Sequence, residues 1–189
     1  QFIFKFRKNK RTIRRPSLQG FHQIENASTA LTTVMILKEN NYKIKLSSLG
    51  KSIYNTKWPG RIEKIKFKNK YIIFDGSHNL SGAEKLNEYL EEKKIRPNVI
   101  FGMLNNKKAF EFLTILKKNI DFLYPITIPD AKNAYTQKEI YNISTKLNIE
   151  TIIKKNLVKI NQLLIKSTNK YILVTGSLYL VGKIRKNYL

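Results

Sequence analysis

Tyr71-Ile72-Ile73-Phe74-Asp75-Gly76-Ser77-His78-Asn79 is a short apolar run that stops at a carboxylate, a glycine, a hydroxyl, an imidazole and an amide, before helical spacing takes over across Ser81–Lys93. A brief apolar run bounded by turn formers reads as a buried strand, and the 3.6-residue period after it reads as an amphipathic helix. The same strand–loop–helix unit recurs downstream. Strands are expected at Asn98–Phe101, Phe122–Ile126, Thr151–Ile153 and Tyr171–Val174, with helices at Lys107–Lys118, Gln137–Leu147, Leu157–Ser167 and Leu178–Asn187. Alternation of this length implies an α/β fold, a mainly parallel sheet flanked by helices on both faces. Upstream, Ile62–Phe67 is separated from Tyr71 by three polar residues, too short for a crossover, so this pair is expected to be an antiparallel hairpin at the sheet edge. Two helix starts, Ser81-x-x-Glu84 and Thr136-x-x-Glu139, carry the capping-box pattern.

Before residue 57 the pattern differs. Residues 1 to 7 alternate Phe2, Phe4 and Phe6 against Ile3, Lys5 and Arg7, a half-buried strand with nothing before it to pair with. The chain opens on Gln1 and is expected to be the tail of a longer one. Phe21, Ile24, Ala27, Leu31, Val34 and Met35 recur at helical spacing over Phe21–Lys38, and His22, Asn26, Thr29 and Thr33 form a polar stripe on the opposite face. A weaker helix covers Leu46–Ile53. The Pro59-Gly60 turn then breaks all periodicity and places a domain boundary near residue 57, with Trp58 expected to pack between domains.

The chain has 189 residues and a net charge of +23, is 42% hydrophobic and contains no cysteine. This excludes disorder, disulfides, thiol nucleophiles and thiolate metal sites. No apolar stretch approaches the roughly 20 residues that span a bilayer, and the first residues lack a signal-peptide core, so a cytoplasmic protein without membrane partners is expected. The charge comes from 29 Lys and only 7 Arg; Ile (25) and Asn (19) are also abundant, and all of Lys, Ile and Asn have A/T-rich codons. The surplus reads either as compositional background or as the electrostatic footprint of a polyanion partner. The one dense run, Lys5 to Arg15, holds seven basic and no acidic residues, and no nucleic-acid-binding motif accompanies the lysines.

Ligands of open parallel sheets sit beyond the carboxyl ends of the strands. Two such ends carry chemistry: Asp75 to Asn79, and Thr175-Gly176-Ser177. Each also has a plain reading as turn and cap residues. Arg61 is the third candidate. It follows a rigid turn, and its guanidinium binds phosphate oxygens in a bidentate way that lysine does not copy.

Four motifs in order, Leu18-Gln19-Gly20-Phe21-His22-Gln23-Ile24-Glu25-Asn26-Ala27, Trp58-Pro59-Gly60-Arg61-Ile62-Glu63, Phe74-Asp75-Gly76-Ser77-His78-Asn79 and Thr175-Gly176-Ser177-Leu178-Tyr179-Leu180-Val181-Gly182, resemble bifunctional folylpolyglutamate synthase/dihydrofolate synthase, a branch of the Mur-ligase superfamily. The family has Ala where this chain has Ser77, and an acidic residue is replaced around Asn105 to Lys108. The resemblance implies that residues 1–56 are the end of a central α/β ATP-binding domain and 57–189 the Rossmann-like Mur-ligase C-terminal domain. It implies an ATP-dependent ligase that adds L-glutamate to dihydropteroate or to a folate polyglutamate tail through an acyl phosphate, using ATP and Mg²⁺.

On the matching positions, Asn26 is expected at the nucleotide base, Arg61 at the ATP phosphates and Asp75 as the carboxylate holding the nucleotide. Arg61 and His78 are the expected catalytic-site side chains, His78 in a supporting role. No metal ligand is expected among these residues: the phosphate-binding loop, the Mg²⁺ ligands and a carbamylated lysine belong to an N-terminal half that has no counterpart here. The complete protein is expected to be a monomer that takes folate or dihydropteroate and glutamate, with no specific nucleic-acid partner. A muramyl-peptide ligase, a basic α/β module binding nucleic acid and a non-catalytic remnant are the alternative readings.

Overall fold

The computed structural model describes residues 1–153 and 167–186. The expected helix Leu157–Ser167 falls almost wholly outside them. The chain divides into two compact units, Gln1–Trp58 and Pro59–Leu189.

In the first unit, β1 (Phe2–Phe6) pairs antiparallel with β2 (Asn9–Ile13), in register Phe2 with Ile13 and Phe4 with Arg11. The strand with nothing before it to pair with thus pairs with the chain that follows it. The second strand lies inside the basic run, where Asn9-Lys10-Arg11-Thr12 shows no apolar alternation to announce it. Phe4 and Ile13 pack with Leu31 of α1 (His22–Glu39), joined at the edge by Phe2, Met35, Leu49 and Ile53. Leu49 and Ile53 belong to α2 (Leu49–Asn55), which continues a 3₁₀ turn at Leu46–Ser48. Helix α1 buries Gln23, Ala27 and Leu31, whereas Phe21, expected on the apolar face, is 56% exposed beside the Arg15 guanidinium.

The second unit is built on a five-stranded sheet in the order β3-β4-β7-β5-β6. Its strands are β3 (Glu63–Phe67), β4 (Lys70–Phe74), β5 (Asn98–Phe101), β6 (Leu123–Pro125) and β7 (Tyr171–Thr175). The first pair is the antiparallel edge hairpin; the other pairings are parallel. Side chains alternate across the sheet as the pleat requires. Ile73, Val99, Phe101 and Leu173 face α3 (Leu80–Lys93), α4 (Ala109–Leu116) and α5 (Gln137–Lys146). Ile72, Phe74, Ile100 and Val174 face α6 (Leu178–Arg185) through Leu180, Val181 and Ile184. Both sheet faces are dry, which accounts for the continuous apolar runs in these strands.

Three expectations are corrected. Thr151–Ile153 is not a strand but a single parallel bridge from Thr151 to Leu123. Leu123 exchanges hydrogen bonds with Glu150 and Ile152, but the next donor in the ladder is Pro125, which has no N–H. At α3 the cap is Asn79, whose side chain accepts from the Gly82 amide at 2.8 Å, so the Ser81 capping box does not form. The Thr136–Glu139 box at α5 forms in both directions. The β3–β4 link is two residues rather than three, because Lys70 already belongs to β4; its buried ammonium donates to the carbonyls of Ser167 and Asn169.

The chain leaves β4 for β5, two places along, and β7 returns into the gap between them. Phe74, the last residue of β4, pairs with Val174, one residue before the end of β7, so the two loops that follow open at one switch point. Gly176 turns there with φ +100°, and a β-carbon on it would stand 2.6 Å from the Gly102 carbonyl oxygen. Gly176→Ala is expected to destabilise the second unit by on the order of 2 kcal/mol, read as a lower denaturant midpoint at unchanged slope.

Candidate functional site

The loops after β4 and β7 are laced together by backbone bonds. The Asp75 amide donates to the Val174 carbonyl at 3.0 Å and the Gly176 amide to the Ser77 carbonyl at 3.1 Å. Asp75 itself is 3% exposed. Its Oδ1 accepts from the Ser77 amide and its Oδ2 from the Ile62 amide, both at 3.0 Å. A buried carboxylate is tolerated when N–H donors replace its water, and here two backbone donors do so.

The bond to Ile62 reaches the segment that precedes β3. The Gly76 amide donates to the Gly60 carbonyl at 2.7 Å, so the Gly60–Ile62 turn is stitched to the Asp75 loop at two points. Gly60 adopts φ +75° and Ile62 φ +46°. A β-branched residue in the left-handed region costs roughly 1–3 kcal/mol and persists only where its surroundings over-determine it. The Asp75 bond and the burial of the Ile62 side chain in the core supply that constraint. Between the two pinned residues Arg61 is exposed, and its guanidinium takes none of the ion pairs found among the described residues.

Glu63 holds the turn from the other side. It accepts from the Gly60 amide at 3.0 Å and is gripped by Arg185 at 2.8 and 2.7 Å, one carboxylate oxygen to each guanidinium nitrogen. The Arg185 hydrogen bonds hold the Glu63 carboxyl below its ordinary range, against partial burial, with the Gly60 amide adding to the effect.

His78 is half-buried, and its Nδ1 lies 2.9 Å from the Gly76 carbonyl. A carbonyl only accepts, so Nδ1 carries the proton and Nε2 is the atom left for a ligand. His78 lines a cleft of about 210 Å³ with Lys107, Ser177, Leu178 and Tyr179 among its neighbours. Ser177 caps α6, its hydroxyl accepting from the Tyr179 amide at 3.2 Å. A half-buried lysine, an imidazole and a helix N-terminus lining one concavity favour an anionic group.

Arg61, Asp75 and His78 are thus brought into one set of loops. Asn26 lies in the first unit, on α1, where its side-chain amide donates to Gln23 Oε1 at 3.1 Å while the Gln23 amide meets His22 Nε2 at 2.9 Å. The polar stripe is therefore not uniform: Thr29 and Thr33 return their hydroxyls to the carbonyls four residues back, whereas Asn26 is exposed and bonds a side chain, Gln23. Trp58, expected to pack, is 60% exposed. Lys107, Glu63 and Arg185 were not singled out from the sequence. Arg185 carried a usable signal, since it is one of only 7 arginines and sits where a lysine would have sufficed for charge alone. Among the described residues no group of three or more His, Cys, Asp or Glu side chains is placed to hold a metal ion, and no helix is long and apolar enough to cross a membrane.

A family model for the dihydrofolate synthetase C-terminal domain matches residues 60–187. The chain belongs to the dihydrofolate synthase/folylpolyglutamate synthase family. The Bacillus subtilis dihydrofolate synthase/folylpolyglutamate synthase is 32% identical over 98% of this chain and 44% of its own length. Among solved structures, Thermotoga maritima folylpolyglutamate synthase superposes with a TM-score of 0.75 at 25% identity, covering 96% of this chain and 42% of that one. E. coli FolC in complex with DHPP and ADP gives a TM-score of 0.80 at 19% identity, covering 98% and 43%. The chain therefore spans less than half the length of the synthases it matches, and the match to the C-terminal domain model opens on Gly60, the first residue of the Arg61 turn.

Because Glu63 is held below the ordinary carboxylate range, its share of stability is present above that range and is lost as pH falls through its folded-state value. Glu63→Gln is expected to flatten the acid limb of a stability–pH curve for the second unit while changing little on the alkaline side. An acid limb identical to the parent's would contradict the assignment.

Proposed function

We propose that this chain is the C-terminal portion of an ATP-dependent ligase that joins L-glutamate to dihydropteroate or to a folate polyglutamate tail. The carrying observation is the Gly60–Ile62 turn, strained and stitched to the Asp75 loop so that one unpaired arginine is exposed, in a chain whose second unit matches the dihydrofolate synthetase C-terminal domain.

A carboxylate does not acylate an amine unaided. In the proposed reaction a substrate carboxylate oxygen attacks the γ-phosphorus of ATP, ADP leaves, and the glutamate amine attacks the acyl carbon and expels phosphate, losing a proton. Charge gathers on the phosphoryl oxygens during transfer, and positioned cations are the main way a protein stabilises it. Arg61 supplies one such cation. Asp75 keeps its turn in place through the Ile62 amide and, in the same reading, contacts the nucleotide with the remaining acceptor capacity of its oxygens. Asn26 is read as a contact to the base from the first unit, which is taken as the end of the central ATP-binding domain. His78 and Lys107 line a cleft suited to a substrate carboxylate, His78 presenting Nε2.

In this reading the Mg²⁺ ligands, like the phosphate-binding loop, belong to the rest of the complete protein, and no step is assigned to the metal on this chain. Acting alone, the 189 residues are expected to show no glutamate-dependent ATP hydrolysis, and measurable turnover would overturn the fragment reading. In the complete ligase Arg61→Ala is expected to lower kcat by about 10²-fold or more with the fold intact, and Arg61→Lys to restore little, because a point charge does not copy the fork. An unchanged kcat and ATP KM would refute the phosphate role.

A further inference from the structure

Arg185 lies at the far end of α6, 122 residues from Glu63 in sequence. Its Nε and one terminal nitrogen each take one oxygen of the Glu63 carboxylate, at 2.8 and 2.7 Å, and the two side chains are only 25% and 22% exposed. The same carboxylate receives the Gly60 amide. The helix that carries Arg185 also packs on the turn: a β-carbon on residue 60 would stand 3.1 Å from Val181 Cγ1 and 3.7 Å from Leu178 Cδ2. Leu178, Val181 and Arg185 follow one another at helical spacing, so a single stripe of α6 presents two apolar contacts and one fork to the Gly60–Glu63 segment. Of the ion pairs among the described residues this is the one gripped at both carboxylate oxygens by an arginine, and its carboxylate carries on to the backbone beside Arg61.

We propose that Glu63 and Arg185 are positioning residues for Arg61: the fork orients the Glu63 carboxylate, the carboxylate fixes the Gly60 amide, and the fixed turn aims the Arg61 guanidinium at the nucleotide phosphates. The proposal rests on the reading of Arg61 as a phosphate ligand and adds to it the device that sets its direction. A lysine at 185 keeps the charge but grips the carboxylate through one point, leaving it free to swing.

The test separates the two claims. On this chain, amide hydrogen exchange at Gly60 is expected to quicken about tenfold in Arg185→Lys and Arg185→Met, the scale of one charge-assisted hydrogen bond, while the Val99 amide in the core strand is unchanged and reports an intact fold. In the complete ligase the same variants are expected to lower kcat/KM for ATP about tenfold with the KM for glutamate unmoved. The charge-swapped double variant Glu63→Arg/Arg185→Glu restores an ion pair but faces the Gly60 amide with a cation, so it is expected to recover neither exchange protection nor ATP kinetics. Recovery in the swap would mean that the pair is merely structural and would overturn the proposal, as would parental Gly60 exchange in both Arg185 variants. If Arg61→Ala leaves the ATP parameters unchanged, the phosphate reading fails instead, and the Gly60 exchange rates still decide whether the fork holds the turn.

Discussion

The Asp75 carboxylate is the constraint on which the arrangement depends. It is a buried side chain whose two oxygens are satisfied by backbone N–H groups, one from Ser77 within its own loop and one from Ile62 thirteen residues earlier. The second bond ties the start of the edge hairpin to the end of β4 and compels Ile62 into a left-handed conformation that a β-branched residue does not choose unaided. With Ile62 held and Gly60 bonded to Gly76, the residue between them has no freedom to fold back, and Arg61 is presented to solvent. The strain at one residue and the exposure of its neighbour have the same cause.

Helix α6 gives the second level of support. Its first turn, capped by Ser177, borders the cleft that contains His78 and Lys107, and its last turn carries Arg185 to Glu63. One element of eight residues therefore touches both the anion-favouring cleft and the arginine turn. The glycine after β7 is required by a third loop: Gly176 sits too close to the Gly102 carbonyl to accept a side chain, and the Gly102 amide donates to the Thr175 carbonyl at 3.4 Å, so the chain after β5 closes on the same place.

Much of this was legible in the sequence because its signals are local. The apolar runs of β4, β5 and β7 and the Thr136 box state their own secondary structure, and Asp75 and His78 stand at a strand end, where ligands of parallel sheets sit. The misreadings share a physical origin in partners that are distant or unpatterned. Asn9–Ile13 is a strand because Phe2–Phe6 pairs with it, not because its own residues alternate. Thr151 stops at one bridge because the neighbouring strand contains Pro125. Asn79 takes the cap that Ser81 was expected to form. Phe21 is exposed because α1 turns Gln23, Ala27 and Leu31 inward instead.

By itself the sequence determined the fold class, the strand–loop–helix order and the residue types at the strand ends, since these follow from periodicity and from turn chemistry within a few residues. It also carried the family, because four short motifs in order are a local property of the chain. Only the tertiary structure decided how the charged side chains are used. That Asp75 accepts from the Ile62 amide, that Glu63 meets Arg185 across 122 residues, and that Arg61 is held exposed between Gly60 and Ile62 are consequences of which loops the parallel sheet brings to one end. Spacing along a chain does not encode such meetings; they are set by strand order, and the order β4-β7-β5 arises only when the last strand inserts between two that were already formed in sequence.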